Sequence, residues 1–176
     1  MDKDTSLAVV FKTIELLRAK NNWAGETSIH KSIYILQQLM NVPVGFTFTL
    51  YLHGPFSFDL REELSSCIAY NYLCLEYVSP IYGPRYLLND ISDKYIETHS
   101  GNIMGYLEKI VRVSEIVSDK GIGSLEKLAT ALYVIKELNC PPANAALKLH
   151  ELKPHISLDE ARKAVDKMQE LIAATK

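Results

Sequence analysis

Cysteine is scarce in this sequence. Of 176 residues three are cysteine, Cys67, Cys74 and Cys140, an odd number with no Cys-x-x-Cys pair. That count and spacing argue against a disulfide framework and fit reduced, mostly buried thiols in a reducing compartment. Long hydrophobic runs are also missing: none approaches the roughly 18 residues a membrane span needs. The opening Met1-Asp2-Lys3-Asp4 lacks the basic then apolar layout of a signal peptide. A cytoplasmic location and no membrane partner are therefore expected. There is no internal repeat, low-complexity tract or long linker. What remains is ordinary, with 48% hydrophobic and 23% charged residues. Fibrous, collagen-like and disordered classes are excluded, and a chain of this length buries about two-thirds of its unfolded surface without help from metal or disulfide. One domain or two small ones fit the length.

A large excess of one charge is absent as well. Nineteen Lys and Arg face 21 Asp and Glu, a net charge of −2. The distribution is uneven: residues 1–45 and 143–176 each carry +1, residues 92–140 carry −1, and residues 46–91 carry −3. No segment is a basic tail or block, so contact with nucleic acid would need basic residues gathered by folding.

The order of elements follows from apolar spacing. Leu7, Val10, Phe11, Ile14 and Leu17 predict an amphipathic helix from Ser6 to Lys20. A second helix, capped by Thr27 or Ser28, runs through Ile29, Ile33, Leu36, Leu39 and Met40 to the stop at Asn41 and Pro43. Phe46 to Leu52 alternates and reads as a strand, and His53 to Ser57 as a turn whose Ser57 caps a third helix from Phe58 to about Asn71. Leu73 to Val78 and Arg85 to Leu88 predict a hairpin around Ser79 to Pro84. Three helices and a hairpin in that order are the layout of a winged helix, with the strand between the second and third helices as a departure. The rest reads as helical. After a broken start at Gly101 and Gly105 come a helix through Leu107, Ile110 and Val117, one capped by Ser124, a short one from Ala143 to Leu152, and a last one opened by the Ser-x-x-Glu box of Ser157 and Glu160. The expected fold is thus α+β and mostly α: a winged-helix-like part over residues 1–91 with a small hairpin wing, and a C-terminal helical bundle over 92–176 packed on it. The last helix has an apolar stripe, Leu158, Ala161, Val165, Met168 and Ile172, that must cover a neighbour or a second copy in a homodimer.

No pattern here carries catalysis. His150 and His155 superficially resemble a His-Glu-x-x-His zinc site, but they lie five apart with Pro154 between them, so they do not share one helical face. Gly121-Ile122-Gly123 lacks the third glycine and the Lys-Ser/Thr ending of a phosphate loop. Glu62 and Glu63 are adjacent and point differently around their helix, and no Gly-x-Ser-x-Gly elbow exists. No catalytic residue, metal or cofactor is expected. The informative segment is Tyr51-x-His53-Gly54-Pro55-Phe56-Ser57. Gly54 and Pro55 set how strand and third helix meet, while Tyr51, His53 and Phe56 present a polar and aromatic surface there.

Two sets of motifs resemble a known group. His30-Lys31-x-x-Tyr34-x-x-Gln37 followed by Tyr51-x-His53-Gly54-Pro55-Phe56-Ser57-x-Asp59-Leu60 is similar to the YwgA-like proteins and, more distantly, to the Panacea antitoxin domain. Leu125-Glu126-x-Leu128-Ala129-Thr130-x-x-Tyr133 and Leu152-Lys153-Pro154-x-Ile156-Ser157 resemble YwgA-like segments too. The sequence departs in having His30 where those families usually have Gln, and His53 before Gly-Pro. The resemblance implies a non-enzymatic protein whose partner is a toxin or a subunit of an anti-phage defence complex. The expected partner-binding residues are His30, Lys31, Tyr34, Tyr51, His53, Pro55 and Phe56. The alternative is a DNA-binding winged-helix regulator using Arg61, Tyr82 and Arg85; Asp59, Glu62 and Glu63 on its recognition helix argue against it.

Overall fold

The chain begins with a capped helix. The Asp2 carboxylate accepts the backbone N–H of Thr5 at 2.9 Å and starts α1 (Lys3–Ala19), a turn earlier than apolar spacing predicts. In the computed structural model, which describes residues 1–78 and 83–175, α1 buries residues 5–11, Thr13, Ile14 and Leu17 while its two ends stay exposed. α2 (Glu26–Gln38) starts ahead of Thr27 and Ser28; its N-cap is Gly25, which has no side chain to offer. α2 packs on α1, α6 (Leu107–Ser118) and α7 (Ile122–Lys136). Its Ser28, His30, Lys31 and Ser32 are buried together with Ile29, Ile33 and Tyr34. A helix enclosed on every side while carrying polar groups has to satisfy them within the fold.

The expected strand from Phe46 to Leu52 is shorter, β1 (Thr49–Tyr51), because Gln37 captures the backbone ahead of it. Its Oε1 accepts the N–H groups of Gly45 and Phe46 at 3.1 Å, and its Nε2 donates to the Phe46 carbonyl at 2.9 Å, so no ladder forms there. The segment read as a turn is in part a strand, β2 (Gly54–Phe56), antiparallel to β1 with Thr49 opposite Phe56 and Tyr51 opposite Gly54. The Ser57 hydroxyl caps α3 (Phe58–Ala69) by accepting the Leu60 N–H at 3.1 Å, as expected. A second antiparallel hairpin, β3 (Leu73–Glu76) and β4 (Arg85–Leu88), pairs Leu73 with Leu88 and Glu76 with Arg85. Residues 79–82 of the expected wing lie outside the described residues.

α4 (Asp90–Thr98), started by an Asn89–Ser92 capping box, is a helix that apolar spacing did not predict, and the expected boundary at residue 91 falls inside it. α5 (Ser100–Ile103) and a 3-10 turn (Met104–Tyr106) lead into α6. α7 begins at Ile122 with Gly121 as N-cap, so Ser124 lies within it and does not cap it. α8 (Pro142–Leu152) and α9 (Leu158–Ala173) follow, α9 with the predicted capping box of Ser157 and Glu160. The α9 residues Ala161, Val165 and Met168 are buried, and α9 packs on α7 and α8 within the same chain. Buried side chains of both halves form one core. The architecture is α+β, mostly helical, with two small antiparallel hairpins. Of the thiols, Cys67 is buried but Cys74 is exposed and Cys140 partly so. No helix among the described residues is long and apolar enough to cross a membrane.

Candidate functional site

Three of the expected partner-binding residues are not on the surface. Lys31 is 2% exposed, and His30 and Tyr34 are fully enclosed, because α2 runs through the core. They hold the β1–β2 hairpin from behind. Lys31 Nζ donates to the Pro55 carbonyl at 3.0 Å, and His30 Nδ1 accepts the Ser57 N–H at 3.2 Å while its ring stacks on Phe56 with centroids 4.1 Å apart. Tyr34 meets Phe48 edge-on at 5.0 Å. Pro55 is buried too, and Phe56 is only 8% exposed.

The hairpin is also held by residues to which sequence spacing gave no role. Lys153, in the turn between α8 and α9, donates from Nζ to the carbonyls of both Tyr51 and Leu52. Glu126 of α7 is buried beside the hairpin, with Oε2 3.6 Å from His53 Nδ1 and Oε1 3.2 Å from His155 Nε2. Both fall inside motifs that carried the family resemblance, but only folding shows that α7 and the α8–α9 turn converge on residues 51–55. Gly54 sits against α7 and Lys31 of α2 with φ +89°, and a Cβ there would lie 3.0 Å from Thr130 Oγ1 and 3.4 Å from the Glu126 carbonyl.

Charge is unusually concentrated at this site. Burial pushes the Lys31 ammonium down to about 8, with Lys153 adding to the fall and Glu126 opposing it. Lys153 is lowered by burial as well, again against the attraction of Glu126. Among the described residues neither lysine forms an ion pair within 4.0 Å, so one buried carboxylate faces two cations at longer range. Burial holds His30 down at about 4, so its imidazole is neutral near pH 7. Glu26 is held below the ordinary carboxylate range by Arg61, which donates to it at 2.8 and 3.2 Å.

What the hairpin shows to solvent is Tyr51 (46% exposed), Leu52 and His53, continued by Phe58 (49%) at the start of α3. Phe56 lies beneath, 5.6 Å from the ring of Tyr51 and 5.1 Å from that of Phe58, with the Arg61 guanidinium 4.7 Å above its face. A cavity of about 190 Å³ opens here, between Glu26, Lys31, Tyr51, His53, Phe56 and Arg61.

The residues expected to touch DNA are largely committed elsewhere. Arg61 is paired with Glu26; Arg85 is paired with Glu76 and lies 5.1 Å over the Trp23 ring; Tyr82 lies outside the described residues. His150 is engaged with the Ile156 carbonyl at 2.7 Å. Among the described residues no group of three His, Cys, Asp or Glu is placed to hold a metal ion. Burial raises the Cys67 thiol to about 12, which makes it inert as a nucleophile. Compared with known proteins, the sequence matches no family model and no curated protein. The resemblance to YwgA-like and Panacea proteins therefore rests on its motifs alone.

Proposed function

We propose that this chain is a non-enzymatic protein-interaction module, an adaptor or antitoxin-like subunit of a bacterial toxin–antitoxin or anti-phage defence complex, located in the cytoplasm. It binds its protein partner with the face formed by Tyr51, Leu52, His53 and Phe58. The observation that carries the reading is that these apolar and aromatic side chains are exposed on a two-stranded hairpin that Lys31, His30 and Lys153 fix from behind. Exposed aromatics on a rigid support lose little freedom on binding, which is the property of interface anchors. The toxin or defence assignment comes from the motif resemblance. Affinity capture of the products of adjacent genes tests it. Tyr51→Ala with Phe58→Ala is expected to lower capture at least tenfold at unchanged thermal stability; full capture by that variant would sink the reading.

One observation favours a winged-helix DNA-binding regulator, namely the order α1, α2, α3 and the β3–β4 hairpin. Against it, α3 brings Asp59, Glu62 and Glu63 to the phosphates, and its Arg61 is neutralised by Glu26. Fluorescence anisotropy with the gene's own promoter at two salt concentrations separates the readings, since phosphate contacts weaken steeply with salt.

A further inference from the structure

Behind the exposed face of the β1–β2 hairpin lie more hydrogen-bond donors than acceptors. Lys31 carries three ammonium protons and has one acceptor among the described residues, the Pro55 carbonyl at 3.0 Å. His30 offers another donor. Because its Nδ1 accepts the Ser57 N–H, the proton of the neutral ring sits on Nε2. That buried nitrogen has no hydrogen-bond partner among the described residues: Glu26 Oε1 is 4.0 Å away and already takes a hydrogen bond from Arg61. Lys31 lines the 190 Å³ cavity together with Glu26 and Phe56, whereas His30 stands behind Phe56 and does not line it.

Charge points the same way. Around the hairpin the cations are Lys31, Lys153 and Arg61, and the carboxylates are Glu126 and Glu26, with Glu26 held by Arg61. His30 is neutral, which leaves one positive charge in excess. α2 begins at this wall with no side-chain cap, so its first N–H groups add positive potential there. Buried cations without a close partner are costly, and a ligand bearing a single negative charge relieves that cost.

We propose that the cavity over Lys31 binds a carboxylate carried on a short apolar group, with Lys31 Nζ as the donor and Tyr51 and Phe56 as the apolar walls. A volume of 190 Å³ is that of about six waters, room for a carboxylate with a short branched aliphatic group and too little for a folded segment. One charge in excess matches a carboxylate better than a phosphate dianion. Two sources supply this chemistry, the C-terminal residue of a protein and a free short-chain acid. The first deepens the proposed function and rests on it, since it makes the partner's chain terminus the anchor on this face.

The test is isothermal titration calorimetry of the full chain with three probes: N-acetyl-Gly-Gly-Leu as the free acid, the same peptide as its C-terminal amide, and isovalerate. The free acid is expected to bind at least tenfold more tightly than the amide. Amide resonances of Leu52 and Gly54 should shift on titration, and Lys31→Met should lower affinity at least tenfold. Stronger binding of the peptide than of isovalerate identifies a chain terminus; equal or stronger binding of isovalerate identifies a small acid. If acid and amide bind alike, or no carboxylate binds at millimolar concentration, the proposal is overturned. The acid and amide arms need no variant, so a poorly folded Lys31→Met protein leaves the result readable. Capture of a partner that depends on Tyr51 and Phe58 stands or falls separately from these titrations.

Discussion

Nδ1 of His30 accepts the backbone N–H of Ser57 at 3.2 Å, joining the middle of α2 to the N-cap of α3 across 27 residues of chain. Only a ring nitrogen without a proton can accept, so this bond requires neutral imidazole. Burial enforces neutrality by lowering the folded-state pKa from 6.5 to about 4. The unfolded state therefore binds the extra proton between pH 6.5 and 4. Stability from this group is complete above pH 6.5 and is lost as pH falls through about 4, by about 2 to 3 kcal/mol between pH 7 and 4.5. Urea unfolding at the two pH values measures this loss. His30→Gln keeps an acceptor for Ser57 and does not titrate, so the variant should lose correspondingly less stability; an unchanged difference would assign the effect to other groups.

Gly54 is predicted to tolerate no side chain. Its φ of +89° is costly for any L residue, and an alanine Cβ would crowd Thr130 Oγ1 at 3.0 Å. Gly54→Ala should destabilise by about 2 kcal/mol, from backbone strain and crowding together. Thr130→Ala in the Gly54→Ala background removes the crowding and leaves the strain, so the double variant should unfold at higher urea than the sum of the single effects predicts. Simple additivity in the midpoints would show that the clash with Thr130 is not part of the cost.

Most helices were readable from apolar spacing, because their buried stripes are regular: Leu7, Val10, Phe11, Ile14 and Leu17 in α1, and Ala161, Val165 and Met168 in α9, are all in the core. α4 escaped because it is short and its apolar face is Ile91, Tyr95 and Ile96, of which Tyr95 and Ile96 pack on the core but none is fully buried. The site was half readable. Residues 51–57 stood out by their Gly-Pro geometry, yet His30, Lys31 and Tyr34 were expected on the surface, as polar residues usually are. Their burial depends on α6 and α7 closing over α2, a long-range event without local signal. Glu126 and Lys153 lie 27 residues apart in sequence and act on the hairpin only through tertiary packing.

Lys153 holds the tip of the hairpin through the carbonyls of Tyr51 and Leu52. Lys153→Met keeps the stem and removes both bonds. Hydrogen exchange is expected to accelerate at least tenfold at the amides of residues 52–54 and to stay unchanged in α1, whose core does not involve Lys153. Uniform acceleration would mean that the lysine stabilises the whole fold rather than this segment.

Glu126 is the buried carboxylate that faces Lys31 and Lys153, and its loss should be felt through both. Glu126→Gln preserves shape and hydrogen-bonding capacity but leaves two enclosed cations without a counter-charge, a change that costs about 3 kcal/mol in comparable buried settings. If the attraction at longer range is real, Lys153→Met should be less destabilising in the Glu126→Gln background than in the native one, by about 1 kcal/mol in a double-mutant cycle. Lys153 would then contribute only its two carbonyl bonds once the carboxylate is gone. A cycle that closes to zero would place the value of Lys153 wholly in those bonds, and the excess positive charge at the hairpin would then be screened from Glu126 by solvent.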